Sequence, residues 1–586
     1  MHFLVIPGQS GRIENIESAM KSLKFAVLFA LVAVWPAQSI DALAFEKPAQ
    51  KHMIAAASPY ATEAGLEILR QGGSAVDAAI AAQMVLTLVE PESSGIGGGA
   101  FMLLYDKKSN RVTSFDGREM APASATPTMF LDVNGKPRPH FDAVPGGLSV
   151  GVPGDIAMFE MAHRKYGKLA WAKLFTPAIK LSEKGFKVSA KLAAEIREFP
   201  QMAQMPDFKA YFYHKDGTPL EEGEILKNPE LAKALRLIAK GGSKAFYSGP
   251  IAQAIIDKVN NAPVNRTTMT LADLANYRAI EREPVCGPYR TYRICSMGPP
   301  SSGGIAILQI LGMLERFNET QLKPNSLSEV HLSAEASRLA YADRAKYLGD
   351  PEVVNVPIAG LIDRNYLRQR SKLIDEKHDM GTAPAGTPPM KRADYAPQRT
   401  PQLPGTSHLS IVDDHGQVVS MTTTIEFSFG SEMMANGFFL NNELTDFSFE
   451  AERDGKPVAN APGPGKRPMS AMAPTIVFKP DGKFWISTGS PGGPVIIAYV
   501  AESLIAMIDG HMTPQQAAAL PHHANLNGPT ILEANTPITA LQPDLEAMGH
   551  TVRTGALESG LHIIEKTKYG YIGGADVRRP GNVRGD

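Results

Sequence analysis

Cysteine is nearly absent from this chain: its 586 residues include only two, Cys286 and Cys295. Two thiols cannot furnish a cysteine-based zinc site, and neither stands in a catalytic context. Net charge is missing as well. Lys and Arg number 59 against 60 Asp and Glu, a formal charge of -1, which leaves no basic footprint for nucleic acid and no acidic tail. The charged residues are scattered and read as solvated surface. Past the first fifty residues no stretch is apolar and long enough to cross a membrane. The glycine cluster Gly95 to Gly99 is followed by neither Lys-Ser/Thr nor a helix, which excludes a phosphate loop. There is no internal repeat and no low-complexity tract. What is left is ordinary globular composition, 44% hydrophobic and 20% charged, with length enough for a large core.

The first fifty residues read as an export signal. Met20 to Lys24 is a short basic region, Phe25 to Trp35 is uninterruptedly apolar, and Ala42-Leu43-Ala44 is a small-x-small cleavage site. The apolar run would rise about 16 Å as a helix, half of the ~30 Å hydrocarbon core. Residues 1–44 are therefore expected to be a signal peptide, with Met20 as an alternative start. The mature protein is expected to be soluble, to begin near Phe45, and to be periplasmic or secreted. Between the cysteines, a two-residue turn at Arg290-Thr291 would set Tyr289 against Tyr292 and Cys286 against Cys295 at a non-hydrogen-bonded pair. In an oxidising compartment that favours a disulfide; two reduced thiols are the alternative.

Ser58-Pro59 opens a helix that ends at Gly72-Gly73, and Ser74 with Asp77 opens a second, apolar nearly all round and hence buried. A strand follows from Ala100 to Tyr105. Residues 155–375 are mostly helical by pattern, interrupted by the cysteine hairpin. From Gly381 to Pro404 prolines and small polar residues replace periodicity, which predicts an exposed irregular segment. Period two then takes over: strands at His408 to Val412 and Gln417 to Ile425 around a turn at Asp413 to Gly416, then Thr475 to Phe478 and Phe484 to Ser487. A helix is expected from Ile496 to Ile508.

Thr406 stands between the Pro-rich segment and the first of those strands. If the chain is cut before it, its α-amino group is free, with an unperturbed pKa of about 7.7–8.0, suited to act as general base for its own hydroxyl. From spacing alone, the reading of Thr406 as a plain surface residue at a strand start wins. The segment Gly405-Thr406-Ser407-His408-Leu409-Ser410-Ile411-Val412-Asp413 resembles the self-cleavage and nucleophile segment of γ-glutamyltranspeptidases. Further segments match the family in order: Gly73 to Ala79, Gly95 to Met102, Gly117 to Pro122, Tyr341 to Arg344 through Gly349-Asp350-Pro351, Gly430, Asn441 to Ser448, Lys466 to Met472 and Gly489 to Gly493. The likeness covers nearly the whole mature chain.

The resemblance implies an N-terminal-nucleophile hydrolase, an α/β (α+β) fold built as a four-layer αββα sandwich. It implies one precursor that cleaves itself into a large subunit, 45–405, and a small subunit, 406–586. Thr406 is then the nucleophile and Thr424 its hydrogen-bonding neighbour, with Gly492 and Gly493 as the oxyanion pair. Arg118 would grip the donor's α-carboxylate, Glu443 and Asp446 its α-ammonium, and Ser470 would donate to the carboxylate. A γ-glutamyl amide such as glutathione would acylate Thr406, and water, an amino acid or a peptide would take the acyl group. The reaction needs no metal and no cofactor.

Three departures from the family pattern bear on specificity. Glu426 stands where an asparagine is common, and its carboxylate would repel that of the donor unless protonated or paired. Ala471 replaces the second of two serines. The segment between Phe447 and Lys466 is short and lacks a lid tyrosine. Together they point to a more open pocket with altered recognition, as in acylases that take glutaryl side chains or enzymes acting on γ-linked polymers. A binding protein without chemistry is a third reading, disfavoured by the intact Thr406, Gly492 and Gly493.

Overall fold

The computed structural model describes residues 48–389, 394–399 and 405–586. The expected signal peptide, 1–44 with Met20, lies outside the described residues, as do 400–404 just before Gly405. Among the described residues no helix is long and apolar enough to cross a membrane.

Thirteen strands make the two central sheets: β1 (Met53–Ala56), β2 (Gly99–Asp106), β3 (Arg111–Gly117), β4 (Ile280–Arg282), β5 (Val285–Tyr289), β6 (Tyr292–Ser296), β7 (Ser407–Val412), β8 (Val418–Thr424), β9 (Thr475–Phe478), β10 (Phe484–Thr488), β11 (His562–Thr567), β12 (Gly570–Ala575) and β13 (Asn582–Gly585). The first sheet runs β13-β1-β7-β8-β2-β3-β4 and the second β12-β11-β10-β9-β6-β5. Every neighbouring pair is antiparallel.

Period-two patterning decides which face meets which layer. On β2, Met102 and Leu104 join one apolar cluster, while Phe101, Leu103 and Tyr105 join another. The first cluster holds the helices α1 (Pro59–Arg70), α2 (Ala75–Val89) and α3 (Asp155–Tyr166) on the outer face of the first sheet. The second cluster spans the gap between the sheets and reaches α4 (Gly303–Leu314), α5 (Leu327–Tyr347) and α6 (Ile496–Ile508) beyond the second sheet. The architecture is the four-layer αββα sandwich that the resemblance implies.

Local chemistry explains the helix ends. Gly72, at φ 81°, takes the left-handed conformation that stops α1. Ser74 and Asp77 close a full capping box on α2, every residue of which is buried. The cysteine hairpin has the expected register, Tyr289 opposite Tyr292, and Cys286 and Cys295 form a disulfide. Residues 155–375 are largely helical as expected, but β4 was not foreseen: Ile280–Arg282 is a short edge strand with no alternation of burial to betray it.

The Pro-rich segment departs from the expectation of full exposure. Where described, it lacks helix and is irregular, yet Ala383 and Ala396 are buried. Its backbone is pinned: Ala383 N–H donates to Asn527 Oδ1 and Gly386 N–H to Asp343 Oδ1, each at 2.7 Å. Unpaired polar backbone is costly to bury, so a segment without periodicity still packs where side chains accept its N–H groups.

Candidate active site

The antiparallel registers gather four strand ends at one end of the first sheet. Ser407 pairs with Thr423, Thr424 with Gly99, and Ala100 with Gly117. Thr406, Thr424 and Arg118 are thereby neighbours although 306 residues separate Arg118 from Thr424 in the chain (424 less 118). Glycines make the close approach possible. A Cβ on Gly97 or Gly98 would fall 2.0 Å from the carbonyl oxygens of Phe439 and Thr424 respectively. At the same end of the second sheet, Thr475 pairs with Thr488. This brings Ser470, Ala471 and Met472, before β9, toward Gly492 and Gly493, after β10.

The resulting pocket, about 270 Å³ of open space, is lined by Arg118, Gly405, Thr406, Thr424, Glu426, Glu443, Asp446, Ser470, Ala471, Met472, Gly493 and Ile496. Eight of the nine residues singled out in the sequence therefore share one wall-to-wall site. The ninth, Gly492, lies one residue outside the lining, at φ 132°, where an added Cβ would press to 2.6 Å of Tyr499. Gly493 to Val495 is a 3-10 turn that runs directly into α6. The N-terminus of α6 thus opens on the pocket, where its dipole favours negative charge. No residue of 447–466 lines the pocket, so the short segment supplies no lid side chain.

Around Thr406 the hydrogen bonds have an order. Glu426 N–H donates to Thr424 Oγ1 at 2.8 Å, and Thr424 Oγ1 donates to the carbonyl of Gly405 at 2.6 Å. Thr406 Oγ1 lies 2.5 Å from that same oxygen. The peptide bond before Thr406 therefore carries two hydroxyls on its carbonyl, one of them held in place by the backbone. Glu426 adopts φ 78°, a left-handed conformation uncommon for a side chain this bulky, and is buried. Its carboxylate accepts from the neutral amide Nδ2 of Asn442 at 2.5 Å, which fixes its orientation at the pocket wall.

Arg118 is fully buried and bound to protein at each nitrogen. Nε donates to the Pro468 carbonyl at 3.0 Å, Nη2 to Asp446 at 2.5 Å and to the Met469 carbonyl at 3.0 Å, and Nη1 to Glu443. Burial disfavours its charge, but Glu443, Asp446 and Glu119 outweigh that and hold its pKa above the usual range. The acids respond oppositely. Burial raises Glu443 well above the ordinary carboxylate value despite Arg118, and raises Glu119 to about 8. Arg118 thus sits among more carboxyl groups than it can neutralise, and burial favours the protonated forms of Glu119 and Glu443.

Three residues near Thr406 have contacts that the sequence did not mark, although Ser407 stands inside the Gly405 to Asp413 segment. Arg579 Nη1 donates to the Thr406 carbonyl at 3.1 Å, and its Nε to the Ser559 carbonyl at 3.1 Å. Ser407 Oγ donates to Glu90 Oε2 at 2.8 Å and accepts from Ser94 Oγ at 3.1 Å. Burial, then the neighbouring Glu92, pushes Glu90 up to about 7. These groups grip the chain immediately downstream of the Gly405–Thr406 bond. An arginine near a chain end and a glutamate before Pro91 look like surface residues in a sequence, and only the sheet registers bring them here.

Comparison with known proteins agrees with this geometry. The gamma-glutamyltranspeptidase family model matches residues 61–585. A glutathione hydrolase proenzyme of Bacillus subtilis (strain 168) is 40% identical over 544 residues, 91% of each chain. One from Escherichia coli (strain K12) is 40% identical over 489 residues, 81% of each. The crystal structure of a cephalosporin acylase from Bacillus halodurans superposes with a TM-score of 0.80 at 27% identity, over 92% of this chain and 96% of that one. With the family matched over nearly its full described length, the chain belongs to the gamma-glutamyltranspeptidase family.

Proposed function

We propose that the chain is a self-processing γ-glutamyl hydrolase and transpeptidase that acts on amides such as glutathione. The observation that carries the proposal is the carbonyl of Gly405, met by the hydroxyls of Thr406 and Thr424 in the pocket that also holds Arg118, Glu443 and Asp446.

Processing comes first. Thr406 Oγ adds to the Gly405 carbonyl carbon, and the developing oxyanion is met by the Thr424 hydroxyl. The C–N bond breaks, the amine takes the proton, and water hydrolyses the Gly405–Oγ ester. A large subunit, 45–405, and a small subunit, 406–586, result. The freed α-amino group then serves as base for the same hydroxyl. In turnover Thr406 Oγ attacks the γ-carbonyl of the donor, the Gly492 and Gly493 backbone and the N-terminus of α6 stabilise the oxyanion, and the leaving amine takes the proton. Water or the amine of an amino acid or peptide then cleaves the γ-glutamyl ester. No step calls on a metal or a cofactor. Proenzyme relatives at 40% identity support the processing step. An export signal would place the mature enzyme in the periplasm or outside the cell.

The Arg118 cluster favours γ-glutamyl over glutaryl donors, the second reading raised by the cephalosporin acylase neighbour. A γ-glutamyl head group brings an ammonium for Glu443 and Asp446 and a carboxylate for Arg118, so each ion released from the present pairs finds a new partner. A glutaryl chain takes the arginine and leaves the Asp446 carboxylate buried without its guanidinium partner, which is unfavourable. Denaturing electrophoresis with N-terminal sequencing tests the proposal. Two bands are expected, the smaller beginning at Thr406, and a single uncut band for Thr406→Ala. An uncut wild-type chain refutes it.

A further inference from the structure

On α5, His331 and Glu335 lie four residues apart and so share a face, and both are buried. Neither belongs to the pocket around Thr406. His550, more than two hundred residues further on, reaches the same spot. His331 Nδ1 and His550 Nε2 are 2.7 Å apart, and one donor atom from each of His331, Glu335 and His550 lies within 4.8 Å of the others.

The outward-facing ring nitrogens are already anchored. His331 Nε2 is hydrogen-bonded to the Asp375 carbonyl at 2.7 Å and His550 Nδ1 to Thr530 Oγ1 at 2.9 Å. Thr530 Oγ1 in turn accepts from Asn525 Nδ2 at 2.9 Å. Imidazoles that bind metals are oriented this way, the remote nitrogen held by a carbonyl or a hydroxyl and the near one turned inward. Glu335 is oriented as well, by Arg338 Nε at 2.8 Å and by Met380 N–H at 2.9 Å. Charge points in the same direction. Arg338 pairs with both Glu335 and Asp379, at 2.8 and 2.7 Å, so two nearly buried carboxylates face one cation.

We propose that His331, Glu335 and His550 form a structural site for a divalent cation of the zinc class. Two imidazole nitrogens and one carboxylate oxygen suit such an ion, with water in the fourth position. Bonds of about 2.0–2.1 Å at tetrahedral angles put two nitrogens roughly 3.3 Å apart, so the rings part by about 0.6 Å on binding. His331 and Glu335 precede position 406 and His550 follows it. A bound ion would tie the two polypeptides together after the cleavage proposed above, although the site itself does not depend on that cleavage.

The test uses full-length protein, wild type and Thr406→Ala, stripped with a chelator, dialysed against Zn²⁺ and assayed for bound zinc and melting temperature. About one zinc per chain is expected in both, with a raised melting temperature, and Co²⁺ in its place should give the visible absorption of a tetrahedral nitrogen-bearing site. Thr530→Val should bind roughly 10–100-fold more weakly. His550→Ala should lose the zinc; if it does not fold, His550→Gln carries the same expectation. Equal binding by the uncut Thr406→Ala chain would separate this site from the processing reaction. No zinc retained by wild type, or undiminished binding by folded His550 variants, would overturn the proposal and leave a hydrogen-bonded histidine pair in the core.

Discussion

Replacing Thr424 with valine preserves its shape and removes the hydroxyl that bridges Glu426 and Gly405. That hydroxyl accepts from the Glu426 N–H and donates to the Gly405 carbonyl, at 2.8 and 2.6 Å, so its proton is committed to the oxygen that becomes negative when Thr406 adds. Loss of one preorganised oxyanion donor costs roughly 10²–10³ in rate, about 3–4 kcal/mol in the barrier. The ground state suffers separately, because the Glu426 N–H is left buried and unpaired, at about 1–3 kcal/mol. The two effects have different readouts. Maturation is followed as the appearance of two bands over time, and stability as the melting temperature of each sample. Thr424→Val should mature about 10²–10³-fold more slowly, and Thr424→Ser, which keeps the hydroxyl, close to the wild-type rate. A folded Thr424→Val that matures at the wild-type rate would refute this account of the Gly405 carbonyl.

Arg579→Lys keeps a charge but cannot reach the carbonyls of Thr406 and Ser559 together, and should slow maturation by about 10–10²-fold in the same gel assay, as a displaced attacking group does. Asp446→Asn should lower kcat/KM for a γ-glutamyl anilide by roughly 10–100-fold, the worth of one charge-assisted hydrogen bond, and spare a glutaryl anilide. Glu90 binds its proton more tightly folded than unfolded, with a pKa of about 7 against an ordinary 4.5, because of burial and then Glu92. Its contribution to stability is therefore greatest below 4.5 and is lost as pH rises through 7. Glu90→Gln should flatten that part of the decline, so wild type and variant melts should diverge between about pH 5 and 8; parallel curves would exclude it.

Legibility in the sequence followed the range of the interaction. The capping box at Ser74 and Asp77, the Cys286–Cys295 hairpin and the strands on both sides of Asp413 are written within ten residues each, and the structure has them. Nine site residues could be named because they stand inside segments that resemble one family, and eight line one pocket. Arg579 and Glu90 could not be, since nothing local distinguishes an arginine that holds a strand carbonyl from one on the surface; Ser407 stands inside such a segment, but nothing in it marks the partner of its hydroxyl. The same is true of the Arg118 pairs. The sequence assigns Glu443 and Asp446 to a ligand's ammonium, whereas in the structure they close on Arg118, and the pairing follows from their burial together. The packing of the Pro-rich segment was also invisible, because the acceptors Asn527 and Asp343 lie far from it in sequence.

If the chain is cut before Thr406 as proposed, Gly405 explains how one pocket could serve two acyl groups in turn. A Cβ on Gly405 would sit 2.0 Å from the Glu426 carbonyl oxygen and 3.0 Å from its carbon, with Phe427 at 3.1 Å beyond. Only glycine fits between Thr406 and that backbone, so the scissile carbonyl is pressed against the Thr424 hydroxyl with no side chain to turn it away. Gly405 also forms part of the pocket's lining. On the proposed reading, hydrolysis of the Gly405 ester frees this space beside Thr406, and the Arg118 cluster then has somewhere to put a donor's head group. On that reading the uncut chain would be closed to amides for a steric reason, and cleavage would supply both the base and the room.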